Sequence, residues 1–202
     1  GEQFYRRYLR EKHMQTSEEL AKRRVISSIL TSHLNAMKYD ERRNFGGKMD
    51  VFLRRIFKQT KVVSPKQIGQ ALSKFANLEI ADIKANPWGF CILKSRNQHR
   101  AKCAEDGLPQ RDKAGVEFCI GCTNHLVEQE HVAFIIINVA NHVTALKQPM
   151  PLVFKAESQR IVKETIKTLK QLDKNNKTKA NVRYIEDMQS ALNISNEMES
   201  LA

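Results

Sequence analysis

Long apolar runs are missing from this sequence. The longest, Val132–Ile137, is six residues, far short of the roughly 20 that a transmembrane helix needs, so no membrane span is expected. The start, Gly1-Glu2-Gln3-Phe4-Tyr5-Arg6, has no apolar stretch of the signal-peptide kind, and the expected location is cytoplasmic. A first residue that is Gly rather than Met is expected of a piece of a longer protein. Also missing are a Gly-rich phosphate loop, a nucleophile elbow and an H-E-x-x-H pair. An enzyme in its own right, or a small-molecule substrate, is therefore not expected. Cysteine is scarce, with four in 202 residues, all between positions 91 and 122. There is one tryptophan, Trp88. What remains is ordinary for a globular chain, 41% hydrophobic and 28% charged, enough for one substantial core or two small ones.

Acidic residues are in deficit. Thirty-four Lys and Arg face 22 Asp and Glu, for a net charge of +12. Residues 1–66 hold sixteen basic and seven acidic residues, so +9 of the excess lies in the first third. A basic half joined to a nearly balanced one suits a polyanionic partner, nucleic acid first and an acidic membrane surface second. Solubility alone is the plain alternative.

The apolar pattern predicts a mainly α protein. Thr16 and Glu19 form a capping-box pair, and Leu20, Val25, Ile26, Ile29, Leu30, Leu34 and Met37 recur at helical spacing, predicting a helix from Ser17 to Met37. After Gly46-Gly47, Met49, Phe52, Leu53, Ile56 and Phe57 share a face of a second helix. Lys48, Arg54, Arg55, Lys58 and Lys61 are placed on the opposite face and are the candidate nucleic-acid contacts. Any one of them reads equally well as a solvated cation. Ser64-Pro65-Lys66-Gln67 caps a short helix with Ile68, Ala71, Leu72 and Phe75 buried. Residues 86–124 are punctuated by Gly, Pro, Asn and Asp and show no long period. Helical spacing returns at Val132–Leu146 and stops at Gln148-Pro149-Met150-Pro151. It resumes with Ile161, Val162, Ile166, Leu169 and Leu172, whose outer face carries Arg160, Lys163, Lys167 and Lys170, and again with Val182, Ile185, Met188 and Leu192. Three units are expected: a basic helical region over 1–85, a cysteine-stapled irregular module over 86–127, and a helical hairpin or bundle over 128–202.

Cys91, Cys103, Cys119 and Cys122 follow the pattern C-x11-C-x15-C-x2-C. A Cys-x2-Cys knuckle lets two thiolates meet one ion from a tight turn, and Gly121 inside it permits that turn. Four soft ligands and no spare cysteine suit tetrahedral structural zinc, Zn2+, with no open position for catalysis. Such an ion would order some 35 residues that have too little apolar periodicity to fold alone. Other readings stay open: thiols packed as small hydrophobes, a redox Cys-x2-Cys, and, least favoured without secretion signals, disulfides. His125, three residues after Cys122, is a possible replacement ligand. Trp88 reads as packing around the module or, less favoured, as a base-stacking platform.

The runs Asn86-Pro87-Trp88-Gly89-Phe90-Cys91, Ala101-Lys102-Cys103-Ala104-Glu105-Asp106-Gly107 and Cys119-Ile120-Gly121-Cys122-Thr123-Asn124-His125-Leu126-Val127 resemble the C-terminal extension of large bacterial tyrosine-type site-specific recombinases, the integrases of mobile elements. The resemblance covers about residues 86–146 and extends only loosely to the helical ends. It implies a region downstream of a catalytic domain, acting in DNA integration. The chemistry of such enzymes needs arginines, histidine, lysine and a nucleophilic tyrosine around one phosphate. Here Gln98-His99-Arg100 lies in the cysteine module, His33 is not followed by Arg at the required offset, and Tyr5 and Tyr8 lack partners. No catalytic residue is expected. The resemblance implies DNA and the remainder of the recombinase, or other protomers, as partners. The alternative is a protein–protein interaction module of a DNA-associated complex with no DNA contact of its own.

Overall fold

The computed structural model of the protein describes residues 2–39, 45–59, 70, 75, 79–96 and 98–200. Helix dominates, with a small antiparallel sheet inserted between the helical regions.

Helix α1 spans Glu2–Tyr39. It begins well before the expected Ser17 because nothing from Glu2 to Tyr39 breaks it: the stretch has no Gly or Pro and is rich in Glu, Arg, Lys, Leu and Met. Thr16 and Glu19 therefore lie within the helix and not at its start. Ile26, Leu30 and His33 are buried and Ile29 is half-buried, a stripe at helical spacing, whereas Leu20 and Val25 are exposed. Strand β1, Phe45–Gly46, precedes helix α2, Lys48–Gln59. Met49 and Leu53 of α2 are fully buried and Phe52 and Ile56 partly so, as their spacing predicts. Of the helix expected after Ser64, only Gln70 and Phe75 are among the described residues; Ile68, Ala71, Leu72 and the candidate Lys61 lie outside them.

The stretch expected to be irregular is built on strands. β2 (Ile80–Asn86) and β3 (Gly89–Lys94) form a hairpin closed by Pro87-Trp88, and β6 (His125–Glu128) pairs with β3 on one side and β1 on the other. The order is β1-β6-β3-β2, all antiparallel. A separate hairpin, β4 (Ala104–Glu105) and β5 (Leu108–Pro109), turns at Asp106-Gly107, both at positive φ. Helix α3, Val116–Cys119, is a single turn. The sheet joins segments on both sides of the expected boundary near residue 85. Its core, Ile26, Leu30, Phe45, Met49, Leu53, Ile80, Ile92 and Leu126, draws on α1, α2 and four strands.

Helices α4 (Val132–Leu146), α5 (Leu152–Asn176) and α6 (Val182–Ser200) pack as a three-helix bundle. Its core is supplied by Val132, Ile135, Val139, Val143 and Leu146 of α4, Ile161, Val162, Ile166, Leu169 and Leu172 of α5, and Ile185, Met188, Ala191 and Leu192 of α6, joined by Val116 of α3, by Ile120, and by Val127 of β6. The bundle reaches the sheet through α5. A Cβ at Gly46 would meet the Leu172 side chain at 2.9 Å, and Gly47 N–H donates to Gln171 Oε1 at 3.0 Å. Gly47 itself has φ +95° and lies so close to strand β6 that a Cβ would stand 2.6 Å from the His125 carbonyl oxygen. No helix among the described residues is long and apolar enough to cross a membrane.

Candidate metal centre and its cationic surround

Each cysteine is delivered by a different local device. Cys91 sits on β3, opposite Lys84 of β2 and His125 of β6. Cys103 directly precedes β4, and its carbonyl accepts from Gln110 N–H at 2.9 Å across the small hairpin. Cys119 ends α3, its N–H bonded to the Gly115 carbonyl at 2.8 Å. Cys122 N–H then donates to the Cys119 carbonyl at 2.8 Å, with Gly121 at φ +70°. That is the tight turn a Cys-x2-Cys knuckle requires.

The four thiols line one cavity of about 20 Å³, together with Leu93, Ala101, Pro109, Arg111 and Phe118. A space of that size takes a single water-sized body, and so a single ion. All four cysteines are free, with no disulfide among them. Among the described residues, no group of three or more His, Cys, Asp and Glu side chains is gathered at metal-holding geometry, so the thiols share a cavity without being drawn to a common point. Their chemistry fits a soft cation. Burial pushes the Cys91 thiol up to about 12, and Cys122, Cys119 and Cys103 add to the rise while Arg111 opposes it. Burial likewise raises Cys103 and Cys119. Thiols raised by burial and then by neighbouring thiolate charge, as Cys91, Cys103 and Cys119 are, lose their protons together only beside a cation. The indole N–H of Trp88 is buried without a hydrogen-bond partner, and Trp88 lowers the Cys119 pKa against the rise from burial.

His125 is committed elsewhere. Its Nε2 lies 2.9 Å from the Trp88 carbonyl, and burial lowers its pKa to about 4, so it is a neutral imidazole donating to that oxygen. It does not line the cavity. His131 Nδ1 accepts from Glu128 N–H at 3.0 Å, and His142 lies 3.0 Å from Ser158 Oγ.

The expected basic face of α2 divides. Arg55 and Lys58 are exposed. Lys48 is exposed and lies 4.0 Å from Glu164 of α5. Arg54 points toward the interior, with Nε 2.8 and 3.0 Å from the oxygens of the fully buried Asp50. The pair was readable as an i, i+4 ion pair on one helix face. Not foreseen was the way the knuckle sits on α5. Lys102 Nζ donates to the Ile120 carbonyl at 2.9 Å, Arg160 donates to the Glu117 carbonyl at 2.8 Å, and a Cβ at Gly121 would come within 2.7 Å of the Glu164 carboxylate.

Comparison with protein-family models, curated proteins and solved structures returns no match. The functional reading therefore rests on residues and geometry.

Proposed function

We propose that this chain is a non-catalytic, DNA-associated region of a tyrosine-type integrase, in which Cys91, Cys103, Cys119 and Cys122 hold a structural zinc ion. The observation that carries the metal assignment is the meeting of all four cysteines at one ion-sized cavity, two of them through a glycine-bearing knuckle. Zinc bound there would supply the charge that keeps four buried thiolates together, and a filled shell leaves it no catalytic role. The order of the cysteines within their sequence context supports the integrase assignment. The +12 net charge supports the DNA partner, since phosphate neutralisation dominates non-specific affinity.

The test is metal analysis of the purified chain beside Cys122→Ser. One zinc per chain, lost in the variant, is expected. A folded chain with four free, reduced thiols and no metal would refute the site. The integrase assignment is tested by the residues encoded before Gly1, where an R…K…H-x-x-R…H…Y series is expected and its absence would end that assignment.

A second reading, protein–protein assembly, is favoured by one observation. Leu152, Val153 and Phe154 at the start of α5 are 74%, 80% and 65% exposed, and three adjacent large apolar side chains in solvent suit an association surface. Light scattering on the purified chain distinguishes a monomer from a self-associating species.

A further inference from the structure

Between Asp82 and Glu105 the chain carries no carboxylate. Those 22 residues contain Lys84, Lys94, Arg96, Arg100 and Lys102, with His99 among them. All but Lys84 lie on the stretch that leads from Cys91 to Cys103. The fold fixes that stretch at several points. Ser95 N–H donates to the Glu79 carbonyl at 2.8 Å, a 3-10 turn covers Gln98–Arg100, and Ala101 N–H closes it on the Gln98 carbonyl at 3.0 Å. Lys94 Nζ lies 4.7 Å above the Phe52 ring, which ties the start of the loop to α2. Lys102 Nζ is anchored on the knuckle carbonyl of Ile120. Arg96, His99, Arg100 and Lys102 are exposed.

The cations crowd one another. Burial lowers the pKa of Lys94, and Arg100 lowers it further. Glu164 of α5, whose side chain lies against Gly121, is already engaged by Lys48 and Lys167. A loop with four Lys and Arg and no carboxylate is matched by a run of phosphates, one for about every 3.4 Å of helix axis on each strand of a duplex. Lys48, at the start of α2, extends the same positive surface.

We propose that the loop Lys94–Lys102, held at its ends by Cys91 and Cys103, is a phosphate-binding surface for duplex DNA. The proposal rests on the DNA-associated reading above and places the contact in the cysteine module, with the exposed face of α2 secondary. Cys91 is held on β3 and Cys103 by its bond across the small hairpin, so both ends of the loop are fixed by the fold and less ordering entropy is spent on binding.

The experiment is fluorescence anisotropy of a labelled random-sequence duplex with the full chain, the double variant Arg96→Gln/Arg100→Gln, and the double variant Arg55→Gln/Lys58→Gln. Salt is varied from about 50 to about 300 mM, and circular dichroism confirms that each variant is folded. Each phosphate contact adds about 0.9 to the slope of log affinity against log salt. The loop variant is therefore expected to lose nearly 2 from that slope, and about tenfold or more in affinity at the low-salt end. Binding that is unchanged in the loop variant and weakened only in the α2 variant would overturn this proposal and leave the DNA-associated reading standing. No binding by the unaltered chain at about 50 mM salt would overturn both.

Discussion

Replacing Asp50 by alanine should cost more stability than any other single polar substitution in the N-terminal half. Asp50 is fully buried and accepts from four side chains on three helices. His33 Nε2 of α1 is 2.6 Å from Oδ1, Arg54 Nε of α2 reaches both oxygens, and Gln171 and Asn175 of α5 reach Oδ2, Asn175 at 3.2 Å. The two amides also serve β1, Asn175 donating to the Phe45 carbonyl at 2.7 Å and Gln171 accepting from Gly47 N–H. Removing one member of a buried charged cluster costs about 3–5 kcal/mol, because the partners stay behind without their acceptor. Arg54 is 25% exposed and can turn to water, which places the expected loss at the lower end, about 3 kcal/mol. At a urea dependence of about 2 kcal/mol per molar, the unfolding midpoint falls by about 1.5 M. The companion Arg54→Gln, which leaves the carboxylate its other donors, should cost about 1 kcal/mol. A midpoint shift below about 0.5 M for Asp50→Ala would mean that the cluster does not hold α1, α2 and α5 together as described.

Two further substitutions test the cysteine module. Gly121→Ala forces an L side chain to φ +70° and against Glu164; the Glu164 side chain can move, but the left-handed backbone costs about 1–2 kcal/mol, or about 3–6 °C in a thermal melt. Gly115→Ala, at an extended φ of −151° with open space around its Cβ, should melt like the parent, and equal losses in both would refute the knuckle geometry. His125 gives a pH signature. Its pKa falls from 6.5 to about 4 in the fold, so the unfolded chain takes up the extra proton. Stability is then flat above about pH 6.5 and declines by up to about 1.4 kcal/mol per unit as pH falls toward 4. NMR titration should find this imidazole neutral at pH 5, and His125→Asn should flatten the acid limb of the stability curve; a His125 that is charged at pH 6 would contradict its burial.

The helical bundle is legible in the sequence because its signal is local. Ile161, Val162, Ile166, Leu169 and Leu172 mark one face of α5 in any order of folding, and Pro149 and Pro151 stop α4 wherever it packs. The strands were hidden for the opposite reason. β6 is buried at all four positions, so it lacks the alternation that marks a strand with one wet face. β1 is two residues long and owes its existence to Val127 and Glu128, some 80 positions away. Asp50 shows the same limit at one residue. In the first turn of a helix a carboxylate reads as a partner for the N-terminal dipole, and only the arrival of α5 makes it an interior charge. The cysteines stand between these cases. Their number and the knuckle spacing point to one site, but the gaps of eleven and fifteen residues are spanned by strands and hairpins that the sequence pattern does not announce.

How far the loss of the cysteine site would spread follows from which side chains fill each core. No cysteine belongs to the cluster built by α4, α5 and α6, nor to the one under the sheet. The knuckle meets the bundle through Val116 and Ile120, which are buried in the bundle core, and through polar contacts on the outside of α5, Arg160 to Glu117 and the Glu164 side chain under Gly121. Partly exposed contacts of that kind are worth about 1 kcal/mol or less each. Cys122→Ser removes no side chain from either core, so it should loosen the module and leave the bundle folded, with far-UV helicity near the parent value. Trp88 reports on the module without interference, being the sole tryptophan, three residues before Cys91 and placed against Phe134 at 5.8 Å. Its fluorescence and near-UV signal should change in Cys122→Ser under conditions where helicity does not. Loss of both signals together would show that the thiols support the whole chain, and the separation of cores would then be wrong.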